Sequence, residues 1–360
     1  MPRMNTPLTL KDILEWLRED NAERLATLWA WANKTRYLNV GDTIHLRGLV
    51  EISSRCGRQC AYCGLRAGNH TLTRYRMSPE EVIVSARQAV AYGYGTVVLQ
   101  AGEDFGLSCE WVAEVVRQIK RQTPLAVTLS LGERTEVELD AWRKAGADRY
   151  LLRFETSDPG LFELIHPSRD HQAADRIALL RYLKQLGYEV GSGIMVGLPG
   201  QTYESVARDI DLFRELDLDM LGIGPFIPHP QTPLGSGELK PVAAPDDQVP
   251  NSELMVYKAV ALTRLVRPDA NIPSTTALAT INKINGRELG LQRGANVLMP
   301  NLTPVKYRKL YQIYPDKACI EETGSACNGC LRTRIHKIGR QIARGHGGRK
   351  RPAPEMEVLC

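Results

Sequence analysis

Six of the eight cysteines fall into two tight groups: Cys56, Cys60 and Cys63 near the start of the chain, and Cys319, Cys327 and Cys330 near its end. In Cys56-Gly57-Arg58-Gln59-Cys60-Ala61-Tyr62-Cys63 a C-x3-C-x2-C spacing sets three thiols on one short loop. Three thiolates can hold three corners of a cubic 4Fe-4S cluster, which leaves the fourth iron open to a small molecule. The competing chemistry is zinc held by these cysteines and His70. The uneven spacing and the position directly after a β-like run argue for the cluster. Cys319-x7-Cys327-x2-Cys330 could hold a second iron–sulfur cluster, with a zinc clip or free thiols as alternatives. Cys109 and Cys360 stand alone and read as a partly buried thiol and a tail residue.

The elements that must position these groups alternate along the chain. Short β-like runs occur at 46–52, 96–99, 126–131, 149–154, 189–196, 220–226, 271–275 and 296–299, with amphipathic helical stretches between them. Ser78 before Pro79, with Glu81 three residues on, has the pattern of a helix start. The first ~45 residues are helical in pattern. The alternation predicts an α/β protein, a complete (β/α)8 barrel of the TIM type with an N-terminal helical extension and a cysteine-containing C-terminal extension. The expected divisions are 1–45, 46–310 and 311–360. A doubly wound open sheet is the competing architecture. In either fold the active site lies at the C-terminal ends of the strands.

Polar residues cluster at those ends. The second run ends Gln100-Ala101-Gly102-Glu103, the third carries Thr128 and Ser130, and the fourth ends Arg153-Phe154-Glu155. Arg153 and Glu155 share one face. Such a pair is costly in a core unless it faces a wet or liganded cavity, although a structural salt bridge explains it as well. The seventh run ends in the hydroxyls Ser274, Thr275 and Thr276. The glycine-rich stretch Gly197–Thr202 lacks the Gly-Lys-Ser/Thr of an ATP-binding loop.

Composition is that of an ordinary globular chain, with 43% hydrophobic and 24% charged residues over 360. This excludes disordered, collagen-like and coiled-coil proteins. No apolar run suits a membrane span, and no secretion signal precedes the first helix, so the reading is cytoplasmic. The net charge of +5 resides in residues 331–360, which include Arg332, Arg334, Lys337, Arg340, Arg344, Arg349, Lys350 and Arg351. This tail reads as a solvated helix and loop, or less readily as a docking element. Nucleic acid is not an expected partner of the main body.

The cysteine loop resembles the signature of the radical S-adenosylmethionine (SAM) enzymes. Within them the chain resembles the FeFe-hydrogenase maturases that share the biotin-synthase type of barrel. RGLVEISSRCGRQCAYCGLR, RYRMSPEE, TLSLGE, ADRYLLRFET, MVGLPGQT, DMLGIGPFIPHPQTPL, IPSTTAL and GANVLMPNLTP carry the likeness, with YRKLYQIYP and GGRKR after them.

The resemblance implies that SAM is cleaved reductively to a 5′-deoxyadenosyl radical during assembly of the hydrogenase di-iron site, on a cysteine-ligated iron bearing CO and cyanide. It implies that Tyr62, Gln100, Gly102, Glu103, Ser130, Glu155, Arg176 and Pro225 serve SAM. Arg153, Thr275 and Thr276 would form an anion site, and Met220, Met299 and Tyr311 a substrate pocket. The implied partners are a small organometallic or amino-acid-derived substrate, an electron donor such as ferredoxin or flavodoxin, and other maturases. Biotin synthase is set aside because no barrel strand here contains cysteine. A methylornithine synthase-like mutase and a non-catalytic iron–sulfur scaffold are the alternative functions.

Overall fold

A computed structural model describes residues 7–167 and 175–349. The central sheet is built from β1 (Thr43–Ser53), β2 (Thr96–Ala101), β3 (Ala126–Ser130), β4 (Arg149–Leu151), β5 (Glu189–Val196), β6 (Met220–Pro225), β7 (Val297–Leu298) and β8 (Gln341–Ile342). The strands run in the order β6-β5-β4-β3-β2-β1-β7, and β8 pairs with the start of β1. Every pairing is parallel. Parallel strands joined by helical crossovers are covered on both faces, which is why runs such as Val97-Val98-Leu99 are wholly apolar and buried.

The helix starts follow the local code. The Ser78 side chain accepts from the Glu81 N–H, Glu81 returns a bond to the Ser78 backbone, and Pro79 opens the helix Pro79–Ala91. Thr9 and Thr135 form the same reciprocal cap at Leu10–Arg18 and Glu136–Lys144. The N-terminal helices Leu10–Arg18 and Ala22–Val40 pack on the helices Tyr203–Glu215 and Glu253–Val266.

Three expected strands are shorter or different. β4 ends at Leu151 rather than 154, because the chain turns to put Glu155 in a left-handed conformation, φ 63°. The run 271–275 forms no strand: Pro273 has no N–H, and single parallel bridges join Asn271 to Met220 and Pro273 to Val297. The run 296–299 is a strand only over Val297–Leu298, before Pro300. β8, beyond all the expected strands, is an addition that sequence patterning missed.

The basic tail is only partly solvated over its described residues: Lys337 and Arg344 are exposed, while Arg332, Arg334, Arg340 and Arg349 are drawn onto the body. Arg334 pairs with Glu288, and Arg332 donates to the Tyr92 carbonyl at 2.6 Å. Residues 341–349 cross the N-terminal end of the strands. There the His346 carbonyl accepts from Thr96 and Arg149, and the Gly347 carbonyl from Arg47 and Asn271. Arg349 binds Asp269, Asp217 and Asp219. A Cβ on Gly95 would lie 1.8 Å from the Gly345 carbonyl oxygen, so the strap lies directly on the backbone there. Lys350, Arg351 and Cys360 lie outside the described residues, as does the start of the helix expected from residue 173. No helix among the described residues is long and apolar enough to cross a membrane.

Candidate active site

The polar strand ends converge on one cavity of about 360 Å³, which runs from the cysteine loop down to Arg47 and Asn271 above the strap. Cys56, Cys60 and Cys63 form part of its wall, and all three thiols are free and half-buried. Burial pushes their pKa values up, that of Cys60 to about 12, with the neighbouring Cys56 thiol adding to the rise and Arg176 opposing it.

Among the described residues, the trio of His, Cys, Asp or Glu ligand atoms lying mutually within 4.8 Å is Glu103, Glu133 and His166. The three cysteine sulfurs are therefore spread more widely than one ion allows, since thiolates on a single zinc sit roughly 3.8 Å apart given Zn–S bonds of about 2.3 Å. The exposed His70 makes no such group with them. Such a spread leaves room for a multi-iron cluster.

The loop is fastened by Arg74, which sequence reasoning missed. Its guanidinium donates to the carbonyls of Ser54, Leu65, Arg66 and Asn69 at 2.6–3.1 Å, and so ties the chain before Cys56 to the chain after Cys63. Gly102 is needed beside it: a Cβ there would lie 2.4 Å from the Arg55 carbonyl oxygen and 2.7 Å from Cys56 Cβ.

Tyr62, Gln100, Gly102, Ser130, Glu155 and Pro225 all line the cavity, as do Arg153, Thr275, Thr276, Met220, Met299 and Tyr311. Arg153 is held by bonds to both Glu155 carboxylate oxygens and to the Ile194 carbonyl, while its Nη1 makes no hydrogen bond among the described residues and faces Gly222. The left-handed backbone at Glu155 stores of order 1–2 kcal/mol, a strain that commonly marks functional positions. Gln100 donates to the Tyr311 hydroxyl at 3.2 Å. Thr275 caps the helix Thr276–Ile281, accepting from the Leu278 N–H, and Ser274 turns away to the Arg287 carbonyl.

Glu103 and Arg176 depart from expectation: neither is part of the cavity wall. They belong to a buried ionic cluster beside Cys60. Arg58 bonds Glu103 at 2.6 Å and also Glu133, while Arg176 bonds Glu133 at 2.7 Å, the Arg153 carbonyl at 2.5 Å, and His166. Burial and the adjacent Arg176 guanidinium lower the His166 pKa to about 2, so the ring is neutral and accepts from Arg176. The alternation of arginine with carboxylate makes this cluster an ion-pair network rather than a metal site.

Other cavity residues were also invisible to pattern reading. Glu51, alone in an apolar strand, bonds Lys317 at 2.6 Å and Asn301 at 3.0 Å. Its isolation among Leu49, Val50 and Ile52 was the available signal; Lys317 offered none. Arg47 is buried at the cavity floor, where burial and the nearby Arg149 lower its pKa to about 9. Cys319, with φ 65°, forms part of the opposite wall and meets Arg287 and Cys327. The Cys327 thiol is buried and Cys330 is exposed on the helix Gly324–Lys337.

Residues 50–213 match the model of the Radical SAM superfamily. The [FeFe] hydrogenase maturase subunit HydE of Thermotoga maritima is 47% identical over 324 residues, 90% of this chain and 89% of that protein. A 3-methylornithine synthase of Methanosarcina acetivorans is 27% identical over 96% of this chain and 91% of its own. Among solved structures, a methylornithine synthase gives a TM-score of 0.80 at 26% identity, covering 94% of this chain and 95% of that one. The hydrogenase maturase HydG of Carboxydothermus hydrogenoformans gives 0.75 at 20% identity, over 92% and 75%. Fold and thiol loop thus define the parallel α/β fold of radical SAM enzymes, dependent on a 4Fe-4S cluster and SAM. Within that superfamily the chain belongs to the HydE family of hydrogenase maturases.

Proposed function

We propose that the chain cleaves SAM inside a closed barrel and turns the product on a small substrate during assembly of the FeFe-hydrogenase di-iron site. The observation that carries this is the single cavity onto which the three thiols, the Arg153–Glu155 pair and Thr275 and Thr276 all open. The bridges through Asn271 and Pro273 support reading the sheet as a complete (β/α)8 barrel, with the helices before Thr43 and the segment after β7 as extensions.

Cys56, Cys60 and Cys63 would hold the 4Fe-4S cluster, leaving one iron open. When bound, cluster and SAM supply a 5′-deoxyadenosyl radical. Tyr62, Gln100, Gly102, Ser130, Glu155 and Pro225 would seat SAM from the cavity wall, and Glu103 and Arg176 would do so from the ionic cluster beside it. Each nitrogen of Arg176 already has a partner, in Glu133, the Arg153 carbonyl and His166, so binding there would use its remaining N–H groups or exchange one of these contacts.

Deeper in the barrel, Arg153 presents its free Nη1, and Thr275 and Thr276 add hydroxyls, toward an anionic substrate. Met220, Met299 and Tyr311 would supply its apolar wall. A cysteine-ligated iron carrying CO and cyanide has the carboxylate and cyanide acceptors such donors suit. A non-catalytic cluster carrier has no use for an enclosed cavity of this kind. Cys319, Cys327 and Cys330 would hold the second cluster. Other maturases, acting before and after this step, are the expected partners, and the free thiols suit the reducing cytoplasm.

The test is anaerobic reconstitution with iron and sulfide, reduction with dithionite, addition of SAM, and chromatography for 5′-deoxyadenosine. Wild type forms it and Cys60→Ala does not. A loaded, reduced wild-type protein that gives neither 5′-deoxyadenosine nor a SAM-dependent EPR change sinks the proposal.

A further inference from the structure

His166 belongs to no motif, yet it is 2% exposed and directly follows the helix Pro159–Ile165. Its N–H bonds the Phe162 carbonyl at 2.8 Å, and its ring stacks on the Phe162 ring with centroids 5.0 Å apart. One residue earlier, the Ile165 carbonyl accepts from the Ala61 N–H at 2.8 Å. The helix end is thus tied to the cysteine loop between Cys60 and Tyr62. Backbone bonds and stacking place the imidazole, whatever its Nε2 meets.

That nitrogen meets Arg176. A guanidinium carries five N–H donors in one plane. Nε donates to Glu133 at 2.7 Å, Nη1 to the Arg153 carbonyl at 2.5 Å, and Nη2 to His166. Three acceptors on three nitrogens fix the plane, and one N–H on each terminal nitrogen is left over. Glu103 Oε1 stands 3.7 Å from Nη2, beyond hydrogen-bond reach.

The kind of acceptor matters. The cluster balances Arg58 and Arg176 against Glu103 and Glu133. A carboxylate in place of His166 would make it net negative and repel an anionic ligand. A neutral imidazole accepts a hydrogen bond without adding charge, and burial together with the guanidinium groups of Arg176 and Arg58 keeps it neutral.

We infer that His166 is a positioning residue, which holds the plane of Arg176 so that the two remaining N–H groups receive the carboxylate of SAM. The inference rests on the proposed seat of SAM at Arg176.

The experiment uses the full, loaded and reduced chain with two ligands. One is SAM; the other is decarboxylated SAM, which keeps the amine, sulfonium and adenosine. Binding is read by equilibrium dialysis and cleavage as 5′-deoxyadenosine. His166→Phe keeps the stack and loses the acceptor. It is expected to bind SAM about tenfold more weakly and to raise KM by the same factor, with kcat at saturating SAM within about twofold of wild type. Its affinity for decarboxylated SAM stays unchanged. His166→Gln, whose amide oxygen restores an acceptor, recovers most of the affinity for SAM. Iron content and the EPR signal before SAM is added stay the same in all three proteins, which shows that the cysteine loop is intact. Equal weakening of both ligands in His166→Phe overturns the inference, as does unaltered SAM affinity or a His166→Gln variant no better than His166→Phe. Wild type that binds SAM without forming 5′-deoxyadenosine strikes the functional reading alone, since positioning is read from binding.

Discussion

Glu51 and Lys317, 266 residues apart in sequence, form a buried ion pair at 2.6 Å on the wall of the central cavity. Glu51 comes from near the C-terminal end of β1 and Lys317 from the segment after β7. Asn301 supplies the second carboxylate oxygen with a donor, and the Tyr311 carbonyl accepts from Lys317. The pair fastens the C-terminal segment across the sheet.

Removing one partner leaves an uncompensated buried charge, which costs about 3–5 kcal/mol. Lys317→Met is therefore expected to lower the denaturation midpoint strongly. The double change Lys317→Met/Glu51→Gln should recover more than half of the loss. Urea unfolding of the three proteins checks this, and a double variant as unstable as the single one refutes it.

Arg74 sets the shape of the cysteine loop through four carbonyls, which a lysine cannot span. Arg74→Lys should fold with little change in melting temperature. It should lose iron to a chelator several-fold faster than wild type after reconstitution, with Arg74→Gln faster still. The iron-release rate is the readout, and equal rates in all three proteins would deny the loop-fastening role.

Asp209 has no exposed surface and accepts from the N–H and hydroxyl of Ser157. Burial raises its pKa from 3.8 to about 7. The native state keeps a proton that the unfolded chain releases, so stability falls as pH rises from about 4 to about 7 and then levels off. Asp209→Asn, which can still accept from Ser157, should remove that decline. The difference between variant and wild-type melting temperatures should grow across this interval, reflecting a contribution on the order of a few kcal/mol. A constant difference across the interval would contradict the assignment.

The segment crossing the N-terminal end of the strands leaves no room at Gly95. Gly95→Ala is expected to displace residues 343–349, exposing them to limited proteolysis and lowering the melting temperature by several degrees. Cleavage mapped by mass spectrometry to this segment in the variant, and not in wild type, is the expected result.

Sequence alone determined the parts governed by local chemistry. The cysteine spacing defined the cluster loop, because ligation by one short loop depends only on neighbours in the chain. Capping boxes such as Ser78 with Glu81 and the period of the apolar runs located the helices and most strands. The charged ends of the strands pointed to a cavity, since Arg153 and Glu155 have no place in a dry core. Family resemblance then named residues expected to serve SAM, and most of those residues line the one cavity.

Tertiary structure alone decided what depends on distant partners. Whether Arg176 and Glu103 face the cavity is settled by Arg58, Glu133 and His166, which arrive from other loops. Lys317 and Arg74 act through groups that sequence order does not place beside them. The tail residues Arg332, Arg334 and Arg349 read as solvent-facing because charge is usually solvated. Here each finds a carbonyl or carboxylate on a distant segment, and partial burial with that partner reverses the expectation that charge alone suggests.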